Sequence, residues 1–376
     1  LPLFYSEQMA RPRQALCMTS IRLPGLIDPH VHLREPGGTH KEDWDSGTSA
    51  ALAGGYACVL AMPNTSPPIT DGETLNRCLA AAHRKARCDY GVHLGAGAGN
   101  VETAASLSAQ VVGLKMYLDQ TFGPLRLDDL ASLDAHTARW PSDRPLLCHA
   151  EGRTIAAAIL VAWLNRRPVH ICHVSRAAEI HLIRAAKERG IPVTCEVTPH
   201  HLFLTQDDAD AIGPGRSQVR PALATTADRD ALWDALRAGL IDCIATDHAP
   251  HTPAEKDSQN PPPGFPGLET ALPLMLGAVR KNWLELDDLV ALMHTNPARI
   301  FRLPPQPETW IEVDTEAAWT VSGAEMRSRC GWTPFEGWRL TGRVQRVTLR
   351  DRLAYEDGKV LAPAGSGRNV NQSLNY

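Results

Sequence analysis

No apolar run in this sequence approaches the roughly 18 residues that a bilayer-spanning helix needs. The opening LPLFYSEQMARPRQ lacks the charged-then-apolar order of a secretory signal, and it lacks an initiator Met. Charge of one sign is not in excess: 38 Lys and Arg stand against 42 Asp and Glu, a net −4. Nothing electrostatic therefore favours nucleic acid or an anionic membrane surface as a partner. No CxxC pair occurs, which excludes a zinc ribbon and a thioredoxin-type motif. The nine cysteines are scattered, most of them in apolar runs such as YACVL, VHICHV and LIDCIA. They read as buried free thiols of a reducing, cytoplasmic compartment rather than a disulfide framework. With 43% hydrophobic and 21% charged residues, the 376-residue chain has ample apolar mass for a core. The length suits two or three ordinary domains, or one barrel of about 250 residues with a smaller module.

What is present is a recurrence of short apolar runs, each ending in a polar residue and followed by a helical stretch. The runs fall at 21–33, 56–64, 89–96, 111–118, 144–151, 167–175, 191–201 and 240–251. They are nearly continuous in apolar residues rather than alternating, as strands covered on both faces are. Helical periodicity lies between them, at 72–86, 154–166, 176–189 and 228–240. Eight strands alternating with helices predict an α/β fold, a (β/α)8 TIM barrel over residues 25–300. A doubly wound open sheet is the alternative, weakened by the absence of any GxGxxG turn. After residue 300 short alternating strands and turns such as EDG predict a small flanking β module, built from 1–24 and 301–365. The polar tail 366–376 reads as mobile.

The chemistry sits where the runs end: His30 and His32, Asn64, Lys115, His149, His173 and Asp247. Such residues closing apolar strands are costly unless they meet a partner or a metal. In a parallel barrel all those ends emerge on one face, so the residues would converge. His30 and His32 form H-x-H, whose side chains share one side of a strand and can reach one ion. Alone that pattern also occurs on solvated loops; two more strand-end histidines and an aspartate favour zinc. Lys115 is the odd member, because an ammonium repels a metal. It reads either as a buried lysine paired with a carboxylate or as a desolvated amine. The latter can react with CO2 to give a carbamate, an anionic bridging ligand. His83, His136, His181 and His294 lie on helical stretches and take no assigned function.

At this point a resemblance can be named. GLIDPHVHLREPGGTHKEDWDSGTSAALAGG (25–55) resembles the signature of dihydroorotases within the amidohydrolase superfamily. AMPNTSPP, GLKMYL, CHAE, HICHVS, TPHHLFL, ATDHAPHT and GFPGLET match further blocks in the same order. The likeness runs from about residue 21 to beyond 350 and is strongest to the dihydroorotase domain of the animal-type multifunctional protein of pyrimidine synthesis. It implies two zincs per chain. His30, His32 and Asp247 would hold the first, carboxylated Lys115 would bridge, and His149 and His173 would complete the second. Asp247 would also shuttle the proton. Arg34, Asn64 and His251 would hold a substrate carboxylate, with Arg220 and the Pro263 backbone on other polar atoms. Thr121 and Phe122 match a mobile loop over the substrate. A third zinc would use His30, Cys172 and Glu196. Against it, neighbours such as Cys172 and His173 face opposite sides of a regular strand, so a structural thiol and a core-edge carboxylate are the alternative reading.

The implied reaction is the reversible closure of N-carbamoyl-L-aspartate to L-dihydroorotate and water, in pyrimidine (UMP) biosynthesis. The alternatives are another cyclic amidase, an allantoinase or hydantoinase, and a non-catalytic dihydroorotase-like scaffold. The resemblance further implies a homodimer, and flanking carbamoyl-phosphate synthetase and aspartate transcarbamoylase domains. The start at LPLFYSE fits a unit of a longer multienzyme polypeptide.

Overall fold

The computed structural model describes residues 19–371. Eight strands form one parallel sheet in chain order. They are β2 (Leu26–Val31), β3 (Tyr56–Ala61), β4 (Asp89–Gly95), β5 (Gly113–Tyr117), β6 (Leu146–His149), β7 (Val169–Ile171), β8 (Val193–Val197) and β9 (Cys243–Ile244). Parallel pairing runs from β2 to β9 without interruption. A parallel bridge between Val31 and His248 joins the last strand's extension to the first, with His32 N donating to His248 O at 2.7 Å. The sheet therefore closes on itself as a (β/α)8 barrel.

The apolar runs pack both faces. Along β3, Ala57, Val59 and Ala61 join the large outer cluster, while Cys58 and Leu60 join an inner one with Met62, Leu147 and Phe301. Side chains two apart thus share a face, as the strand period requires. Of the predicted helices, 72–86 forms Gly72–Lys85 and 228–240 forms Thr226–Arg237. Each opens on a reciprocal capping box, Asp71 with Thr74 and Thr225 with Asp228. Such a cap contributes about 1 kcal/mol. Leu75, Cys78 and Ala82 are buried on one face of the first helix.

A second, antiparallel sheet runs β1–β10–β11–β12–β13. Its strands are β1 (Ser20–Pro24), β10 (Trp310–Thr320), β11 (Arg339–Leu349), β12 (Arg352–Glu356) and β13 (Lys359–Val360). The run at 21–33 was expected as one strand and is two: β1 serves the small sheet and β2 the barrel. Gly25 is the hand-over, where a Cβ would lie 2.5 Å from Ala57 Cβ and 2.7 Å from Thr309 Cγ2. The expected N-terminal share of this module, 1–24, lies outside the described residues up to 18.

Within the expected mobile tail, residues 366–371 are instead packed against the barrel. Residues 368–370 lie along β4: Tyr90 N donates to Arg368 O and Val370 N to Tyr90 O, both at 2.9 Å. Val370 and Asn371 are buried. The polar composition suggested solvent, but the backbone finds partners on β4 and Val370 anchors in the inner cluster. Residues 372–376 lie outside the described residues. All eight described cysteines are free and buried. No helix among the described residues is long and apolar enough to cross a membrane.

Candidate active site

The carboxyl ends of the barrel strands carry a dense buried polar cluster. Asp247 Oδ1 lies 3.2 Å from His30 Nε2 and 3.0 Å from His32 Nε2. His32 Nδ1 meets Asn64 Oδ1 at 2.6 Å. His30 Nδ1 lies 2.5 Å from Glu196 Oε1. His149 Nδ1 and His173 Nε2 are 2.9 Å apart. Lys115 Nζ, fully buried, reaches Cys172 Sγ at 2.8 Å. All eight expected ligand residues are thus gathered at one end of the barrel.

Two details of this cluster depart from simple strand geometry. Cys172 and His173 were expected to face opposite sides. However, β7 ends at Ile171 and His173 has a φ of 33°, so both adjacent side chains turn toward the site. Arg34 (φ 59°) and Asp247 (φ 46°) are also in the left-handed region. Each costs on the order of 1–2 kcal/mol, and strain of this kind collects at functional sites.

The charge states suit a cation. Burial pushes the His32 imidazole down to about 4 and lowers His149 and His173 as well. Neutral imidazoles keep the lone pair that a metal takes. Burial alone would raise the Asp247 carboxyl, but His30 and the His32 hydrogen bond outweigh it and hold it below its ordinary value. Among the described residues His149 Nε2 and His173 Nδ1 are buried without a hydrogen-bond partner; Glu151 Oε1 comes to 3.5 Å of the former without bonding geometry. Unsatisfied buried nitrogens are expensive in a folded chain, and a metal would satisfy both. Two triads, His30–His173–Asp247 and His30–Cys172–Glu196, each bring one ligand atom per residue within 4.8 Å. The residues present therefore fit a metal centre.

Beside this cluster lies a small cavity of about 20 Å3, bounded by Arg34, Asn64, Phe122, Arg220, Asp247 and Pro263. Thr121 also faces it. Arg34 Nε donates to Pro250 O at 3.0 Å, and its Nη2 lies 3.0 Å from His251 Nε2. Burial lowers the Arg34 guanidinium to about 10, still charged at neutral pH. Asn64 Nδ2 donates to Phe122 O at 3.0 Å, which holds that loop over the cavity. Arg220 Nη1 donates to Val219 O. Gly264 has φ +145°, and a Cβ there would lie 2.4 Å from Ala249 O, so only glycine lets the Pro263 segment come this close. A larger cavity of about 640 Å3 opens near the amino-terminal ends of β2 and β3, lined by Ile27, Cys58, Ala298 and Pro304 among others. It lies away from the titratable cluster and is mostly apolar.

Several residues here escaped the sequence reading. His170 Nε2 lies 3.1 Å from Glu196 Oε2 and braces it. Asp28 accepts from Thr246 Oγ1 at 2.5 Å and from His30 N, and burial raises it to about 7. Lys256 Nζ donates to the carbonyls of Gln218, Pro262 and Gly264, tying the two loops around Arg220 and Pro263. Lys41 contacts His251 and Glu255. The H-x-H spacing extended two residues back to Asp28 and the run VHICHV could have flagged His170; the two lysines sit in loops with no periodic signal.

The Amidohydrolase family profile matches residues 21–306. The multifunctional protein pyr1-3 of Dictyostelium discoideum is 54% identical over 93% of this chain, which spans only 16% of that protein. The dihydroorotase of Pyrococcus abyssi is 36% identical, covering 94% of this chain and 88% of its own length. Among solved structures, the L-hydantoinase of Arthrobacter aurescens superposes with a TM-score of 0.88 at 25% identity, over 93% of this chain and 89% of its own. An inactive dihydroorotase-like domain of the Chaetomium thermophilum CAD-like multifunctional protein gives 0.80 at 28%, over 93% and 99%. The metal-ready strand ends and the matched segments agree: this chain belongs to the amidohydrolase family and, within it, groups with the dihydroorotases.

Proposed function

We propose that this chain is a dihydroorotase that interconverts N-carbamoyl-L-aspartate and L-dihydroorotate. The observation that carries it is Arg34: a buried guanidinium on the cavity wall, two residues beyond H-x-H, beside Asp247. A guanidinium pairs a carboxylate bidentately. Dihydroorotate carries that carboxylate, whereas allantoin and dihydrouracil do not.

His30, His32, Lys115 and Asp247 would hold one zinc, and Lys115, His149 and His173 a second. As a ligand Lys115 must first react: its neutral amine adds to CO2, forming an N–C bond and releasing one proton. Cys172 and Glu196, with His30, are the residues for a third zinc. Zinc supplies a Lewis acid for the ring amide carbonyl and lowers the pKa of water bound to it. This chain's residues do the rest. Arg34, Asn64 and His251 hold the α-carboxylate, while Arg220 and the Pro263 carbonyl orient the other polar atoms. Thr121 and Phe122 must move before the substrate enters, because a space of about 20 Å3 holds no ring. Asp247 moves the proton. In ring opening it takes one from the attacking water and gives it to the departing ring nitrogen. In ring closure it takes the carbamoyl N–H proton.

Turnover of dihydroorotate, allantoin and dihydrouracil by the purified protein separates the cyclic-amidase readings; dihydroorotate is expected to be the preferred substrate. The scaffold reading is disfavoured by the retention of all six two-zinc ligand positions. Stripping metal with a chelator should lower Tm by several degrees, since an ion that binds only the folded state stabilises it. An unchanged Tm, with no zinc by elemental analysis beforehand, would revive the scaffold.

The chain is further read as a homodimer. Leu160, Trp163 and Leu164 stand on one face of helix Arg153–Leu164 and are 53%, 53% and 64% exposed. An apolar patch at i, i+3 and i+4 suits a self-complementary two-fold contact. Leu160→Glu should convert a dimer to a monomer by light scattering; a persistent dimer would place the interface elsewhere. A cytoplasmic setting fits the buried free thiols. Flanking carbamoyl-phosphate synthetase and aspartate transcarbamoylase domains fit the 16% share of the pyr1-3 relative.

A further inference from the structure

His251 has three polar neighbours around its ring. Lys41 Nζ lies 3.1 Å from Nδ1. Pro263 O lies 3.1 Å from Nε2, and Arg34 Nη2 lies 3.0 Å from the same Nε2. Two of these groups, the ammonium and the guanidinium, can only donate; the carbonyl can only accept. With the proton on Nε2, Nδ1 accepts from Lys41 and Nε2–H donates to Pro263. One contact, with Arg34, is then donor against donor. With the proton on Nδ1, Arg34 is satisfied, but Nδ1–H faces a full positive charge and Pro263 O loses its partner. The first arrangement makes two hydrogen bonds and the second makes one.

We propose that Lys41 is a positioning residue that fixes His251 as its Nε2–H tautomer, so that an entering carboxylate oxygen takes the Nε2–H over from Pro263 O and accepts from Arg34 as well. The unrelieved donor pair is what an anion would repair, by accepting from both. The proposal rests on the dihydroorotase reading for the identity of that carboxylate, but its tautomer claim does not. Lys41 is nearly buried and is itself held by Glu255 Oε1 at 2.8 Å. Glu255 in turn accepts from Thr252 N and Oγ1 and lies 3.2 Å from His40 Nε2, so its position is fixed. Trp332 Nε1 donates to His251 O at 2.7 Å, which anchors the backbone beneath the ring. Burial and then the nearby Arg34, Lys41 and Lys256 charges lower the His251 pKa, leaving it neutral and therefore in need of a tautomer choice. The Phe122 ring caps the group, 4.7 Å from Lys41 Nζ and 5.0 Å from the His251 ring.

The test uses metal-loaded protein labelled with 15N-histidine, with the His251 ring signals identified by their loss in His251→Asn. In the unmodified chain the spectrum should show Nε2–H. Lys41→Met should lose that preference and raise KM for dihydroorotate about tenfold with kcat within about twofold, the signature of lost uniform binding. Lys41→Arg, which can only donate, should restore both. Should Lys41→Met fail to fold, Lys41→Leu, which likewise lacks a donor, gives the same comparison. An Nδ1–H tautomer in the unmodified chain overturns the proposal. So does a Lys41→Met protein with the tautomer unchanged, whatever its KM. If the unmodified chain shows the tautomer and its Lys41 dependence but turns over no dihydroorotate, the functional reading fails and the Lys41 assignment stands.

Discussion

Lys115→Ala is expected to abolish turnover, with partial rescue by short carboxylic acids such as acetate or propionate. Lys115 is fully buried, and among the described residues its Nζ makes one hydrogen-bond contact, to Cys172 Sγ at 2.8 Å. An ammonium at that place would repel any ion held by His30, His149 and His173. A carbamate on the same nitrogen reverses the sign and offers two oxygens. Alanine leaves a cavity about the size of the lost chain, and a small carboxylate can enter it and supply the missing oxygens. Outer-shell partners of a metal typically cost roughly 10–100-fold when removed, so loss of a bridging ligand should exceed a hundredfold. Rescue should track carboxylate size, and the rescued protein should hold more zinc than the unrescued one. Full activity of Lys115→Ala with no added acid would sink the carbamate.

Arg34→Ala should lower kcat/KM for dihydroorotate by about thirtyfold or more while leaving zinc content intact. Removing one partner of a buried charged pair costs about 2–5 kcal/mol, and each 1.36 kcal/mol is a factor of ten. Among the described residues no hydrogen bond joins Arg34 to His149, His173 or Lys115, and it holds its place through Pro250 O and His251. The loss should therefore appear in substrate handling and not in metal binding. Any residual turnover of dihydrouracil, which lacks the carboxylate, should be spared. Loss of zinc in this variant with substrate binding unchanged would refute the assignment.

Much of the site was legible because one rule of barrel geometry turns scattered residues into neighbours. His30, Lys115, His149, His173 and Asp247 each close an apolar run, and parallel strands bring those ends together. The fold was legible for the same reason, since strands covered on both faces announce themselves as unbroken apolar runs. Where reading failed, local backbone was responsible. The split of run 21–33 depends on Gly25, whose need to lack a side chain is set by Ala57 and Thr309 from distant parts of the chain. The shared orientation of Cys172 and His173 depends on a strand that ends at Ile171, short of the run's end at residue 175, and on a positive φ. Residues 368–370 are anchored by a backbone ladder with β4, and backbone hydrogen bonds leave no mark on composition. Lys41 and Lys256 lie on loops, where charged residues are usually solvated, and only their three-dimensional partners show otherwise.

The central claim is that this metal-ready barrel end closes and opens the dihydroorotate ring. Its most direct test is the interconversion of N-carbamoyl-L-aspartate and L-dihydroorotate by the purified zinc-loaded chain, followed in both directions. The expected result is turnover each way, approaching one equilibrium ratio from either side and lost on chelation. A chain that carries its full complement of zinc and moves neither compound, or that opens allantoin or dihydrouracil in preference, would contradict it.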